Sequence, residues 1–204
     1  MLTATYTLVA LSVEQTNMRV SLHAVQQLVQ KSYARQSALT EGQADYVCDT
    51  LRRLYEGCQG RKLDRFLLPA LLPALRCAGA GANAAAAPLL CELDMLSRSA
   101  AEALGAACRL AAGSIDDEES VDAFCLAVER FCVALELRFD REERELFPIA
   151  RSVIAGDAWF AVANQMLAHD AYREEHRGRV PPPGSRGGRV DHAHRQGPPV
   201  TYVH

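Results

Sequence analysis

The sequence predicts an all-α protein: an up-down-up-down four-helix bundle with a short extra C-terminal helix around Trp159 and a disordered tail. Apolar residues recur at steps of three and four over long stretches, and strand-like alternation is nearly absent after residue 12. With 204 residues, 49% of them apolar, the chain can bury one full core. We expect the bundle over residues 1–177. Residues 178–204 are rich in Pro, Gly, Arg and His without periodicity, which predicts the tail.

The first two helices follow from their apolar faces and from one cap. The first helix is expected from about Val13 to Arg35. Its inward face contains Met18, Leu22, Val25, Leu28, Val29 and Ser32. Thr40 followed by Gln43 forms a capping-box pattern, which opens a second helix through Val47, Leu51 and Leu54.

Glycine and proline residues mark the expected interruptions of the second helical stretch. Gly57 and Gly60 predict a break, after which the apolar pattern resumes. Pro69 and Pro73 each lack a backbone N–H donor, so they predict a kink or a further break.

The third and fourth helices lie on either side of a polar link. A Gly/Ala-rich segment, residues 78–88, is interpreted as the connection to a third helix with apolar residues from Leu89 to Ala111. The polar segment GSIDDEES then leads into a fourth helix from about Ser120 to about Ile154. Its acidic residues favour a helix N-terminus at this place.

The fourth helix contains one residue that its surroundings do not explain. Ten positions recur at alternating steps of four and three, as on the packed side of a helix in a bundle. They are Val121, Cys125, Val128, Cys132, Leu135, Phe139, Glu142, Leu146, Ile149 and Val153. Glu142 alone among them is charged, and a lone buried carboxylate is strongly disfavoured unless it is paired or protonated. Arg138 precedes it by one turn on the same face, so we predict an ion pair between Arg138 and Glu142.

Composition excludes several classes of protein. The net charge of -3 argues against nucleic acid as a partner. The chain has no run of eighteen apolar residues and no signal-peptide pattern, so neither a membrane span nor secretion is expected. Seven cysteines without a CxxC pair are interpreted as reduced core residues of a cytoplasmic protein, rather than as a disulfide framework or a zinc site. No phosphate-binding loop, nucleophile elbow or zinc-protease helix is present.

Four segments together carry a resemblance to a known family. EERELFPIARSV, with its aromatic–proline pair after the paired glutamates and Trp159 shortly beyond, resembles the last helix of hemerythrin-like proteins of the HHE cation-binding type. MRVSLHAVQQLV is similar to the first-helix pattern of that family, and GRKLDRFLLPAL and CELDML are similar to two of its later elements. VPPPG is similar to its Pro-rich ending, so the resemblance covers about residues 10 to 184.

The resemblance implies where a diiron site would lie. The family takes one His from the first helix, His-x-x-x-Glu from the second, one His from the third and His-x-x-x-Glu from the fourth. Those positions fall on Leu22, Gln59 with Leu63, Leu93, and Arg138 with Glu142. Glu142 is the only residue of the ligand type retained among them. The apolar phase selects Leu22 as well, because it shares a face with Met18 and Val25, whereas the neighbouring His23 points away.

A shifted metal site is the competing interpretation of these positions. His23, Asp64, Asp94 and Glu143 each lie one residue past a family ligand position. Using them would rotate every helix by about 100° and turn its leucines outward. We therefore expect these four residues to be solvated or at the rim of the bundle.

The sequence thus predicts a hemerythrin-like protein that has lost most of its diiron ligands and acts as a non-enzymatic binding or regulatory protein. No catalytic residue, no metal and no cofactor are expected. The alternative is a metal-dependent role with a diiron cofactor, in oxygen or nitric oxide binding or in redox stress. A third hypothesis is a homodimeric interaction module that uses an apolar helix face. Neither nucleic acid nor a membrane is an expected partner.

Overall fold

The computed structural model describes residues 2–34, 40–113 and 117–177. The chain divides into two compact units, Met1–His169 and Asp170–His204, and the second is described only over residues 170–177. The predicted tail, residues 178–204, therefore lies outside the described residues. None of the helices in the described ranges is both long and apolar enough to cross a membrane.

The described residues form helices and no strand, which confirms the all-α prediction. The α-helices are α1 (Leu2–Ala34), α2 (Glu41–Gln59), α3 (Leu68–Ala78), α4 (Ala80–Ala111), α5 (Glu118–Arg141), α6 (Phe147–Val153) and α7 (Gly156–Arg177). Two π-helical turns complete them: Leu63–Leu67 leads into α3, and Glu142–Leu146 joins α5 to α6. Helices α4 and α5 form the most extensive pair.

Helix α1 begins at Leu2, so the predicted start near Val13 is wrong. The first turns contain Thr, Tyr and Val, whose helix propensity is low, so the local sequence does not predict a helix there. Tertiary packing compensates, because Ala4, Thr7 and Leu11 lie on one helical face and are buried.

Helix α4 begins at Ala80, so the segment 78–88 is not the predicted connection. The break before α4 is the single residue Gly79, which has φ of 99°, a backbone conformation that favours glycine. Alanine is the strongest helix former, and the run of alanines continues the helix through Pro88. Ala86 and Leu89 are buried on its inner face.

The caps of α2 and α5 agree with the sequence. The Thr40 backbone N–H donates to Gln43 Oε1 at 3.0 Å, within the predicted capping box. At α5, the Ser120 N–H donates to Asp117 Oδ1 at 2.7 Å. Helix α2 passes through Gly57 and ends before Gly60, so of the two predicted interruptions only the second occurs.

Both π turns precede a proline by two residues. Leu63–Leu67 is followed by Pro69, and Glu142–Leu146 is followed by Pro148. Proline lacks the N–H donor, and its ring crowds the carbonyl four residues earlier, so a local widening of the helix relieves the clash. The predicted break near Pro69 is therefore a π turn, and Pro73 lies inside α3 without ending it.

The buried apolar residues form two cores rather than one. The first core joins α2 to the C-terminal half of α1 and to parts of α4 and α5, with Leu22, Leu51, Ala100, Phe131, Leu135 and Phe139 among its members. The second core joins the N-terminal half of α1 to α3, α4, α6 and α7, with Leu11, Leu63, Leu67, Leu93, Leu146 and Trp159 among its members. Polar side chains separate the two cores.

Candidate functional site

A layer of polar side chains lies between the two cores, and we call it the polar layer. Its members are Gln15, Arg61, Asp64, Ser97, Arg138 and Glu142. On α1, Gln15 lies between Leu11 of the second core and Leu22 of the first. On α4, Ser97 likewise lies between Leu93 and Ala100. The other members come from the segment between α2 and α3 and from α5 with the second π turn.

Glu142 is the centre of the polar layer. It is the first residue of the second π turn, and its exposed fraction is 0%. Oε1 accepts from Arg61 Nη2 at 2.6 Å and from Arg138 Nε at 2.9 Å. Oε2 accepts from Arg61 Nη1 at 2.7 Å and from Gln15 Nε2 at 2.5 Å. Because an ionised carboxylate has about four acceptor positions, its hydrogen-bonding capacity is used in full.

Arg61 is as deeply buried as the carboxylate that it binds. It lies in the break between α2 and the first π turn, with an exposed fraction of 1%. Its guanidinium forms a bidentate pair with Glu142 and lies over the Phe139 ring, with Cζ 5.1 Å from the ring centroid. Burial lowers the pKa of the Arg61 guanidinium. The hydrogen bonds to Glu142 and the charges of Glu142 and Asp64 together raise the pKa by more, so it lies above its ordinary value.

Arg138 connects three members of the polar layer. Its Nε donates to Glu142, its Nη1 to Ser97 Oγ, and its Nη2 to Asp64 Oδ1 at 3.1 Å. The predicted ion pair between Arg138 and Glu142 is confirmed. The sequence did not anticipate that Arg61 shares the same carboxylate.

Asp64 is one of three members of the polar layer that have a buried polar atom without a hydrogen-bond partner, with Gln15 and Arg61. Burial raises the pKa of its carboxyl group, and the charges of Arg61 and Arg138 lower it by less. Its Oδ2 has no hydrogen-bond donor and lies 3.5 Å from Arg61 Nε, which also lacks a hydrogen-bond partner. These two atoms face each other beyond normal hydrogen-bond length.

The polar layer is electrically balanced and has little capacity for proton transfer. Two guanidinium groups face two carboxylates, so the four charges cancel. Arginine does not release its proton in proteins, and every lone pair of Glu142 accepts a hydrogen bond. The nearby Cys58 thiol is buried, which raises its pKa to about 11 and makes it a poor nucleophile at neutral pH.

The positions implied for a diiron site do not fit one. Leu22 lies in the first core, Leu63 and Leu93 lie in the second, and Gln59 is exposed. Hydrocarbon side chains offer no lone pair to a metal, and Arg138 is a cation. Of the implied set, Glu142 alone has a carboxylate, and arginine and glutamine donors already occupy both of its oxygens.

The shifted metal site does not assemble either. His23 is exposed and hydrogen-bonds with Gln27. The three carboxylates each bind an arginine: Asp64 pairs with Arg138, Asp94 with Arg98, and Glu143 with Arg19. In the part of the chain that the structure describes, no group of three His, Cys, Asp or Glu side chains is arranged to hold a metal ion.

The sequence did not predict three members of the polar layer, Gln15, Arg61 and Ser97. Gln15 continues the four-three-four spacing from Leu11 to Leu22 through Met18, and extending the first helix toward Leu2 would have found it. Arg61 lies in a break between helices, so helical periodicity assigns it no direction. The signal for Arg61 is the energetic requirement that Glu142 be neutralised.

A cleft of about 360 Å³ opens beside the polar layer. Its apolar lining comes from Leu63, Leu68, Leu90, Leu93 and Ala101. Asp64, Ser97 and Arg138 of the polar layer contribute to its polar lining, together with Asp94 and Arg98. Four of the positions implied by the resemblance thus line a cleft: Gln59, Leu63, Leu93 and Arg138.

No protein-family model, no curated protein and no solved structure matches this chain.

Proposed function

We propose that this chain is a hemerythrin-like bundle that works without a diiron centre, as a non-enzymatic binding protein. The observation that supports the proposal is that Arg61 and Arg138 both donate hydrogen bonds to the Glu142 carboxylate. A carboxylate at a metal position requires positive charge around it. Here two guanidinium groups supply that charge permanently, whereas a metal ion can dissociate.

The proposed topology is up-down-up-down. The first member is α1, and the second is α2 continued by the first π turn and α3. The third is α4, and the fourth is α5 continued by the second π turn and α6. Gly79 alone separates the second member from the third, and short connections of this kind favour antiparallel neighbours. Helix α7 is then the extra C-terminal helix.

Iron content tests the metal-free part of the proposal. The full chain is purified without an affinity tag from iron-supplemented cells, and its iron is measured against protein concentration. We expect no stoichiometric iron, because four of the six family ligand positions offer only hydrocarbon or guanidinium groups and the Glu142 carboxylate is occupied by other side chains. About two irons per chain, as in a diiron centre, would overturn the proposal and favour the metal-dependent alternative.

The ligand site of the proposed binding protein is the cleft beside the polar layer. Its volume of about 360 Å³ is within the range of small-molecule sites. Its charged residues are compensated within the protein, because Arg138 binds Glu142 and Asp64, and Arg98 binds Asp94. A charged ligand would therefore find no free counter-ion, whereas the leucines and Ala101 offer apolar surface. We expect an uncharged, mainly apolar molecule.

Two probes of similar shape and different charge test this ligand class. Cyclohexanol should bind the cleft and cyclohexanecarboxylate should bind more weakly, as measured by NMR titration of the full chain. Ala101→Phe fills the cleft and should weaken cyclohexanol binding about tenfold or more. Ala87→Phe, on an exposed site of the same helix, is the matched control and should leave binding unchanged. Equal binding to Ala101→Phe, or tighter binding of the carboxylate, would reject the cleft without affecting the result of the iron measurement.

A further inference from the structure

The outward side of α1 carries an apolar face that nothing in the described structure covers. Its residues are Leu2, Tyr6, Val9, Val13, Thr16 and Val20, spaced alternately by four and three. This is the spacing by which one helix packs along another in a coiled coil. Each of them is exposed, and Leu2 is exposed to 90%. We call these six residues the outer face of α1.

The outer face of α1 carries no charge. The two charged residues between Leu2 and Val20 are directed to other parts of their own chain. Glu14 accepts from the Lys62 backbone N–H, and Arg19 binds Asp140 on α5 and Glu143 in the second π turn. A helix face that meets only water usually carries charged residues. The next two positions in the spacing are His23 and Gln27, which are polar and bind each other, so the apolar face ends at Val20.

We propose that the outer face of α1 binds the same face of a second copy of this chain, in antiparallel orientation. A two-fold axis between Val9 and Val13 places Leu2 opposite Val20 of the second copy, and Val9 opposite Val13. It also places the large Tyr6 opposite the small Thr16. The Thr16 hydroxyl donates to the Ser12 carbonyl, so its oxygen stays available as an acceptor for the Tyr6 hydroxyl of the second copy.

Charge and area both suit a second copy. Because the face is uncharged, two identical copies meet without electrostatic repulsion, and antiparallel helix dipoles attract. Its five larger side chains are half to nine-tenths exposed, so each offers on the order of 100 Å² to a partner. Two copies would bury roughly 1,000 Å² in total, which is the lower limit for a specific interface. The dimer is therefore expected to dissociate on dilution.

Sedimentation velocity on the full chain, over about a hundredfold range of concentration, tests the proposal. The wild-type chain should pass from monomer to dimer with rising concentration. Val13→Glu places a carboxylate against Val9 of the second copy and should weaken the dimer about tenfold or more. Val133→Glu, a half-exposed valine on α5, is the matched control and should leave association unchanged. Circular dichroism checks that both variants keep the wild-type helix content.

The antiparallel pairing has its own test. Val9→Lys and Val13→Glu should each associate poorly alone, whereas a mixture of the two chains should form a heterodimer, because the lysine of one copy then faces the glutamate of the other. A mixture that associates no better than its components overturns this pairing. A wild-type chain that stays monomeric at every concentration overturns the proposal. A wild-type chain that binds phospholipid vesicles through this face without self-association also overturns it. Equal association of Val13→Glu and Val133→Glu would overturn it as well.

Discussion

At the scale of single residues, Glu142 accepts hydrogen bonds from three side chains on three different parts of the chain. Removing it would leave Arg61 and Arg138 buried with an excess of positive charge. Breaking a buried ion pair from one side costs about 3–5 kcal/mol, so we expect Glu142→Leu to lose that much stability in urea unfolding. Glu129→Leu, at an exposed site on α5, should change stability by about 0.5 kcal/mol or less.

Removing one positive and one negative charge together should destabilise the chain less than removing Glu142 alone. Arg61→Met combined with Glu142→Leu deletes the bidentate pair and leaves Arg138 with Asp64 and Ser97. We expect this double variant to be about 2 kcal/mol more stable than Glu142→Leu alone, because no uncompensated charge stays buried. A double variant less stable than the single one would contradict the charge-balance account.

Asp64 gives the polar layer a pH dependence of defined sign. Its folded-state pKa is raised above the ordinary value of 3.8, mainly by burial, so the folded chain holds this proton more tightly than the unfolded chain. The stability that this group contributes is full below the ordinary pKa and is lost as the pH rises through the folded pKa. Asp64→Asn abolishes that loss. The stability of Asp64→Asn relative to wild type should therefore increase between about pH 3 and pH 7 in urea unfolding, and a flat difference would refute the account.

The polar layer was partly predictable from single residues. The pair of Arg138 with Glu142 followed from their spacing on one helix, since residues four apart share a face. The pairing of Arg61 with the same carboxylate brings together residues far apart in the chain, and no local pattern contains such a contact. The three leucines at family ligand positions followed from the apolar phase.

At the scale of helices, the sequence predicted the middle of each long helix correctly but not the residues at which α1 and α4 begin. The fourth helical stretch was expected to about Ile154, and its helical residues end at Val153. The start of α1 was missed because local propensity there is low, and packing of Ala4 and Leu11 outweighs it. Glycines near an alanine run predict a linker, but Gly81 lies inside α4 and, of these glycines, only Gly79 has a positive φ.

Two glycines at the start of α4 should therefore respond oppositely to the same substitution. Gly79→Ala forces a side chain into a φ of 99° and should cost about 1–3 kcal/mol. Gly81→Ala, inside α4 with open space around its added methyl group, should stabilise the chain by about 0.5–1 kcal/mol. Urea unfolding of both variants measures the contrast. Similar effects at the two sites would mean that Gly79 does not require its unusual backbone.

At the scale of the whole molecule, the all-helical class was predictable because apolar residues recur with helical spacing over most of the chain. The division into two cores was not, because Gln15, Arg61 and Ser97 come from separate helical stretches and meet Glu142 or Arg138 only in the folded chain. The apolar spacing of the fourth helix led to Glu142, and neither that spacing nor the family resemblance gave information about Arg61.

Cysteine reactivity should follow burial across the whole molecule. Burial raises the pKa of Cys48 and of Cys132 to about 12 and that of Cys58 to about 11, whereas Cys77 and Cys91 are exposed. Iodoacetamide should therefore label Cys77 and Cys91 first, as read by peptide mass spectrometry. In urea the five sites should label at similar rates. Rapid labelling of Cys58 in the folded chain would mean that the first core opens readily.

The polar layer also decides how the helices align lengthwise. A slip of α5 by one turn, about 5.4 Å, would exchange apolar contacts for other apolar contacts, because such contacts are not directional, and its cost in the cores would depend on the mismatch in side-chain size. The same slip would pull Glu142 away from Arg61 and Gln15 and leave charged groups buried without partners. Misaligned packings of the helices are therefore less stable than the loss of apolar contacts alone would make them. The charges of the polar layer favour the one alignment in which Glu142 meets Arg61, Arg138 and Gln15.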